Sequence, residues 1–307
     1  MESTASGETV RALLVDAFTD EPTRGNGAGV VPDAEGLSAG QMRRIADELA
    51  QSETAFLLPS GSADRRVRYF TPEREVDLCG HATVASHAHL HADGVIESGT
   101  HSLETAIGVV EVEITDDGTV WMTQDAPTVE EVDLDYATVG EALGVDPATL
   151  RDVGADLPLA VASTGLRFLV VPANFLDAVG GAAPETSAVE ALCDRVDATG
   201  VYLFTFDALT PEATLHGRTF APGAGVPEDP VTGTASGAVG AYLRRFEAFD
   251  SLPEEMVFEQ GHYLDRDGHV HVRAREEIQV GGRAVTTLDG ELRVPPDDDD
   301  EDEIIEA

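Results

Sequence analysis

The chain contains no lysine: all 19 of its basic residues are arginine, set against 58 aspartates and glutamates, for a formal net charge of -39. So large a deficit of positive charge excludes nucleic-acid binding, because contacts to phosphate are made by cations. Cysteine is scarce as well. Cys79 and Cys193 are too few and too far apart for a disulfide framework or a zinc-binding set, which fits a reducing compartment. No apolar run approaches the roughly 18 residues of a membrane span. Met1 to Glu8 is polar and lacks the basic-then-apolar layout of a secretory leader. These absences predict a soluble, cytoplasmic protein with neither membrane nor nucleic acid among its partners.

What is present is enough for a real core. Hydrophobic residues make up 42% of 307 positions, sufficient for two domains of ordinary size. The acidic surplus is spread along the chain, with one dense run from Asp297 to Glu303 that reads as a solvated tail. Such a surface repels itself when the screening length is about 10 Å, at 0.1 M salt, and is relieved when it shrinks to about 3 Å at 1 M. The pattern resembles halophilic proteins. An acidic protein made for one basic partner would concentrate its charge instead.

Internal repetition organises the rest. The first half holds Phe70-Thr-Pro72, then Gly80-His-Ala82, Ala85, Ala88 and Leu90. The second holds Phe220-Ala-Pro222, then Gly233-Thr-Ala235, Ala238, Ala241 and Leu243. Other pairs fall in the same order. Val30-Val31-Pro32 matches Val170-Val171-Pro172. An amphipathic helix over Ser38 to Ala50 leads into a strand over Thr54 to Leu58, as Ser187 to Val196 leads into Val201 to Phe206. Hairpin turns are expected at Asp116 to Gly118 and at Arg266 to Gly268. Each half therefore reads as β-rich with one surface helix and one Ala-spaced helix buried inside a wrapped sheet.

Both Ala-spaced helices begin at a glycine, Gly80 and Gly233. Their unpaired N–H groups and positive dipole ends can hold a small carboxylate without any basic side chain. If the halves face one another, the two helix starts converge on an inter-domain cleft, a common place for a ligand. The chemistry is expected where the repeat breaks. Glu53 stands opposite Gly200, His81 opposite Thr234, and the longer second loop adds Pro227 to Pro230 with Asp229. A carboxyl, an imidazole and an Asp are residue types of general acid–base catalysis.

Four stretches carry a family resemblance: Val15 to Asp20 with Gly25-Asn26, Ser52 to Phe56, Val76 to Ala82, and Pro227 to Ala235. They resemble the phenazine-biosynthesis-like (PhzF) isomerases, and the likeness extends from about residue 12 to about residue 294. It implies an α+β fold of the diaminopimelate epimerase type: two pseudo-symmetric domains, each a β-barrel-like sheet around a central helix. The expected domains are 9–128, completed by a final strand near 285–294, then 129–284, with an acidic tail at 295–307. The resemblance also implies a homodimer and no cofactor. It makes Glu53 the proton-shuttling acid/base, His81 and Asp229 its polar partners, and Thr234 the group opposite His81. Asn26, Gly80, Thr232 and Gly233 complete the expected substrate-binding set. Thr234 replaces a serine of the phenazine enzyme, and Gly27 stands where proline is common. Cys79 occupies one of the two catalytic thiol positions of diaminopimelate epimerase, but Thr232 occupies the other, which excludes two-thiol chemistry.

Other signals are weaker. Glu53 can be a surface residue, His81 a helix cap, and Asp229 a turn residue. His87 and His91 are spaced i, i+4, but His89 lies on another face and nothing completes a metal set, so no metal is expected. Gly25 to Gly29 lacks the spacing and the following helix of a dinucleotide loop. Ser236 has no G-x-S-x-G around it, and Cys79 reads as a small core residue. The expected function is a cofactor-independent isomerase or epimerase, moving a proton on a small carboxylate-bearing carbon acid. The alternative is a binding or scaffold protein that kept the fold and lost the chemistry.

Overall fold

The computed structural model describes residues 8–154 and 156–297, so the acidic run expected in the tail lies outside the described residues beyond Asp297. Two compact units divide them: residues 8–23, 27–120 and 283–297 form the first, and 24–26, 121–154 and 156–282 the second. No helix among them is long and apolar enough to cross a membrane.

The first unit opens with β1 (Thr9–Ala17) and β2 (Asn26–Val31), of which the first residue, Asn26, counts with the second unit. Helix α1 (Ala39–Leu49) follows because Ser38 supplies a capping box: its hydroxyl accepts from Gln41 N–H while the Gln41 side chain accepts from Ser38 N–H. Ala50 in the left-handed region ends it. Its Met42, Ile45 and Ala46 stripe packs on Val31, Ala34, Phe56 and Phe70, fixing the helix against the sheet. Then come β3 (Thr54–Leu58), β4 (Arg65–Phe70), β5 (Glu75–Val76), α2 (Gly80–Ala92), β6 (Gly99–Thr105) and β7 (Gly108–Ile114). The final strand, Ala284–Arg293, pairs antiparallel with β1 from Thr9↔Arg293 to Ala17↔Ala284, so the first and last described strands belong to this unit. Helix α2 packs against β1, β3, β7 and the final strand, and its buried side includes residues 82–90.

The second unit runs β8 (Val120–Thr123), β9 (Thr128–Glu131), α3 (Tyr136–Leu143), β10 (Ala160–Ser163), β11 (Arg167–Pro172), α4 (Leu176–Gly180) and α5 (Thr186–Val196). It continues with β12 (Gly200–Thr205), β13 (Leu215–Ala221), β14 (Val226–Asp229), α6 (Gly233–Arg245), β15 (Met256–Gln260), β16 (Gly268–Ala274) and β17 (Ile278–Gly282). Glu185 caps α5 by accepting from Ser187 and Ala188 N–H. The inner face of α5, Val189, Leu192 and Cys193, packs on Leu169, Val171, Val201 and Leu203. Helix α6 packs against β9, β10, β11, β16 and β17 and is buried through residues 235–243.

Both units pass through the same pairings in the same sense. Parallel β2–β3 and antiparallel β3–β4 and β4–β5 match parallel β11–β12 and antiparallel β12–β13 and β13–β14. Parallel β4–β6 matches parallel β13–β15, which skips the helix in each case. The fold is α+β, with a sheet wrapped round a buried helix in each unit. The two connections differ in length. The turn at Asp116–Gly118 is tight, with Gly118 N–H donating to Thr115 O at 2.9 Å. The segment before Gly268 is longer, with a 3-10 turn at His262–Leu264 and left-handed Gly261 and Asp265. Within it the Arg266 guanidinium donates to Gly25 O and Arg24 O at 2.9 Å each, so this longer connection holds the 24–25 backbone.

Candidate functional site

Two polar sets stand at the starts of the buried helices, and each is built within its own unit. In the first unit, β3 delivers Glu53 just before its first residue. The Glu53 carbonyl accepts from Gly29 N–H at 3.0 Å, which ties the position to β2. The chain from β5 reaches α2 through Cys79, its N-cap residue, and no side chain caps the helix. The N–H groups of the first turn therefore keep no side-chain partner, an arrangement suited to a small anion. Residue 81 follows, placing His81 Nε2 3.4 Å from Glu53 Oε2 and 3.4 Å from Ser52 Oγ. Cys79 Sγ lies 3.5 Å from Nδ1 of the same ring. Both Glu53 and His81 are partly exposed, so the pair is reachable from solvent.

In the second unit, Asp229 ends β14 and α6 begins four residues later. Its carboxylate accepts from Asn26 Nδ2 at 2.9 Å and from the Thr232 hydroxyl. Asn26 is buried and its amide also donates to Val231 O at 2.8 Å. Thr232 is the N-cap of α6, again without a side-chain cap on the helix. Cys79 and Thr232, matched by sequence, thus hold the same place in their respective helices. Thr234 enters through its carbonyl, which accepts from Thr164 Oγ1 at 3.2 Å.

The expected residues therefore fall into two groups. Glu53, Gly80 and His81 gather in the first unit; Asn26, Asp229, Thr232, Gly233 and Thr234 gather in the second. Sequence reasoning missed Gln260. This buried side chain donates to Asp229 O at 2.8 Å and accepts from Thr232 N–H at 3.3 Å. No motif surrounds it: it follows Glu259 at the end of β15, and nothing in the local sequence sets it apart. Reasoning also passed over Ser52 and the closeness of Cys79 to His81.

Chemically, the first set pairs a carboxylate with an imidazole beside free helix N–H groups, which allows proton transfer next to a bound anion. The other three histidines of α2 take separate partners: His87 the Thr83 carbonyl, His89 the Thr286 hydroxyl and His91 the Ser98 hydroxyl. Among the described residues, the group with metal-ligand atoms close together is Glu53, Cys79 and His81.

Comparison with known proteins agrees across nearly the whole chain. The family model described as phenazine biosynthesis-like protein (PhzC-PhzF) matches residues 15–290. The uncharacterized isomerase YfhB of Bacillus subtilis is 37% identical over 283 residues, covering 91% of this chain and 94% of its own. The trans-2,3-dihydro-3-hydroxyanthranilate isomerase of Pseudomonas aeruginosa is 30% identical over 293 residues, covering 91% and 98%. A crystal structure of a Bacillus anthracis phenazine biosynthesis protein of the PhzF family matches with a TM-score of 0.85 at 32% identity, over 93% of this chain and 99% of that one. A hydroxyproline epimerase from Agrobacterium vitis, at 14% identity and a TM-score of 0.57, shares the fold.

Proposed function

Since this chain belongs to the phenazine biosynthesis-like (PhzC-PhzF) family and is an isomerase, we propose that it moves a proton on a small carboxylate-bearing carbon acid with Glu53 as acid/base. The observation that carries this reading is the placement of Glu53 Oε2 3.4 Å from His81 Nε2, beside the uncapped start of α2. Glu53 takes the proton from a carbon next to an electron-withdrawing group and returns it to another carbon, or to the other side of the same one. An N–H of His81 donated toward Glu53 fixes the carboxylate's orientation. The first-turn N–H groups of α2 hold the negative charge that grows as the proton leaves. No step in this sequence calls on a cofactor.

The proposal gives Asp229 a substrate-facing role as well. Its support is the care with which the second unit holds it: Asn26 and the Thr232 hydroxyl each occupy one carboxylate oxygen. Residues Gly233 and Thr234 then present the start of α6. The reading extends to setting. The charge of -39 with no lysine suits a salt-saturated cytoplasm, and the family resemblance suits a homodimer.

The test is deuterium uptake in molar KCl and D₂O from a panel of small cyclic and amino-substituted carboxylates, read by mass spectrometry. Exchange is expected into one compound class, and Glu53→Gln is expected to slow it by roughly 10²- to 10⁴-fold, the usual worth of a general base. Exchange that survives Glu53→Gln unchanged sinks the assignment. Tight binding of a panel compound with no exchange favours the binding-protein reading.

A further inference from the structure

The peptide that joins Cys79 to Gly80 has two ends with different surroundings. Its N–H, on Gly80, opens helix α2, while its carbonyl, on Cys79, points back into the helix. That carbonyl accepts twice, from Thr83 N–H at 3.1 Å and from Thr83 Oγ1 at 2.7 Å. The Thr83 hydroxyl has only one proton, and it goes to the carbonyl. In the 2.5 Å contact between Thr83 Oγ1 and Tyr69 Oη the tyrosine is therefore the donor. Tyr69, on β4, is buried, and burial pushes its ionisation upward, so the phenol keeps its proton. At the other end, no side chain caps the helix, and a Cβ built on Gly80 would meet no atom of its unit within 4 Å. The second unit holds only part of this chain of bonds. Ser236 Oγ donates to Thr232 O at 2.8 Å, but Thr219, where the repeat matches Tyr69, has a buried hydroxyl that makes no hydrogen bond. Its cross-strand neighbour Tyr202 makes none either. The full chain serves the helix start that carries Glu53 and His81.

We propose that Tyr69 is a positioning residue of the isomerase: acting through Thr83, it polarises the Cys79–Gly80 peptide and makes the Gly80 N–H a stronger donor to the substrate's negative charge. A peptide oxygen that accepts a hydrogen bond draws electrons from its own N–H, which becomes a better donor. Bonds in line reinforce one another, by about 10–30% per bond. Here Tyr69 donates to Thr83 and Thr83 to Cys79 O, so both bonds act in the same sense. A buried tyrosine finds a partner whatever its role, and a threonine four residues into a helix commonly bonds back to the carbonyl behind it. Either contact alone would be ordinary packing. Joined, they end on the one peptide whose N–H begins α2, and they are joined only where the acid/base stands. Tyr69 touches no reacting atom. The polarisation stands on this chain of bonds; its consequence for the reaction rests on the reading that the first turn of α2 holds the growing charge.

The sequence offers a direct probe. Cys79 precedes Gly80 and Cys193 precedes Asp194, so the chain has a single Cys-Gly step. The full chain, labelled with carbon-13 at cysteine carbonyls and nitrogen-15 at glycine, gives one carbonyl–amide correlation in its NMR spectrum in molar KCl. In Tyr69→Phe the ring keeps its packing and only the hydroxyl is lost. The Gly80 proton and Cys79 carbonyl signals are expected to move upfield together. Thr83→Ser, which keeps the hydroxyl, should hold the wild-type position, and Thr83→Val should move further than Tyr69→Phe. Folding is checked by circular dichroism, and Thr83→Val carries the test should Tyr69→Phe fail to fold. With the panel compound that exchanges deuterium, the rate at saturation is expected to fall roughly two- to eightfold in Tyr69→Phe, with half-saturation little changed. That range is 10–30% of the logarithm of the 10²- to 10³-fold worth of a charge-stabilising donor. A folded Tyr69→Phe protein whose correlation does not move overturns the polarisation. A moved correlation with undiminished exchange overturns the effect on the reaction. If Glu53→Gln leaves exchange intact, the functional assignment falls, while the correlation still decides whether Tyr69 acts on Gly80.

Discussion

Helices α2 and α6 begin alike and are finished differently. Each follows an uncapped N-cap residue, Cys79 or Thr232, starts at a glycine, and is buried against the sheet of its unit. Four residues after each N-cap, a hydroxyl bonds back to the N-cap carbonyl: Thr83 Oγ1 to Cys79 O at 2.7 Å, Ser236 Oγ to Thr232 O at 2.8 Å. Beyond that the helices diverge. The start of α2 faces titratable groups, Glu53 and His81. The start of α6 faces a carboxylate held by the Asn26 amide and the Thr232 hydroxyl, with the Gln260 amide on the Asp229 backbone carbonyl. One helix start thus gathers a carboxyl and an imidazole, while the other has a carboxylate fixed by neutral donors. The same helix register carries two different polar surroundings, and the packing round each helix differs as well.

The eighth residue of each helix measures that difference. In α2 it is His87, fully enclosed; in α6 it is Gly240, where an added Cβ would lie 2.6 Å from Val272 Cγ1 and 3.4 Å from Ala274 Cβ. Strand β16 approaches α6 more closely than an imidazole allows. Exchanging the residues should break the likeness most severely. Gly240→His overpacks against β16 and buries an unpaired ring nitrogen, so its cost is about 4 kcal/mol, combining 1–3 for strain with 1–3 for the orphaned group. Urea unfolding in molar KCl would measure it. A loss below about 1 kcal/mol would mean that the sheet round α6 yields more readily than the packing indicates.

The next effect belongs to α2 and depends on pH. Burial depresses His87 from the ordinary 6.5 to about 4, although its bond with Thr83 O works the other way. The folded state holds the ring neutral while the unfolded chain takes up a proton below 6.5. Stability is therefore whole above that pH and declines as pH falls toward 4, by about 3 kcal/mol in total. Burial lowers His89 and His262 as well, adding to the loss in the same window. Glu259 acts later. Burial opposes its ionisation, but bonds from His216, Leu209 N–H and Thr210 prevail and hold it near 2, so its contribution disappears only as pH falls below 4.5. Unfolding curves between pH 7 and pH 4 should flatten in His87→Leu. An unchanged slope would mean that the ring is protonated without opening the structure.

The sequence made the architecture readable because its repeat is written in residues that packing cannot easily replace. The Ala spacing of α2 and α6, the Ser38 cap and the strand pairs ending at Val31 and Pro172 all follow from local patterning. Glu53, His81 and Asp229 were legible as breaks in that repeat. Their neighbours were harder to see. Cys79 was read by looking for a second cysteine, whereas its relevant companions are a histidine two residues on and a glutamate 26 positions earlier. The long turn before Gly268 escaped notice because Arg266 serves the distant 24–25 backbone. Contacts between segments far apart in sequence leave no periodicity to find.

Gln260 is the strongest case of such a contact and carries the smallest of the expected losses. Its side chain is 1% exposed, and both ends of the amide are engaged with the turn that joins β14 to α6. Methionine has nearly the same shape and offers no donor, so Gln260→Met separates bonding from packing. The Thr232 N–H and Asp229 C=O lose their partner in a half-buried place, at a cost of about 2 kcal/mol. Asp229 keeps its bonds to Asn26 and Thr232, so the turn should loosen rather than collapse. Hydrogen exchange should then rise at Thr232 and the first turn of α6 while α2 stays protected. Equal loosening of both helices would show that Gln260 supports the whole molecule and does not specifically hold Asp229 in place.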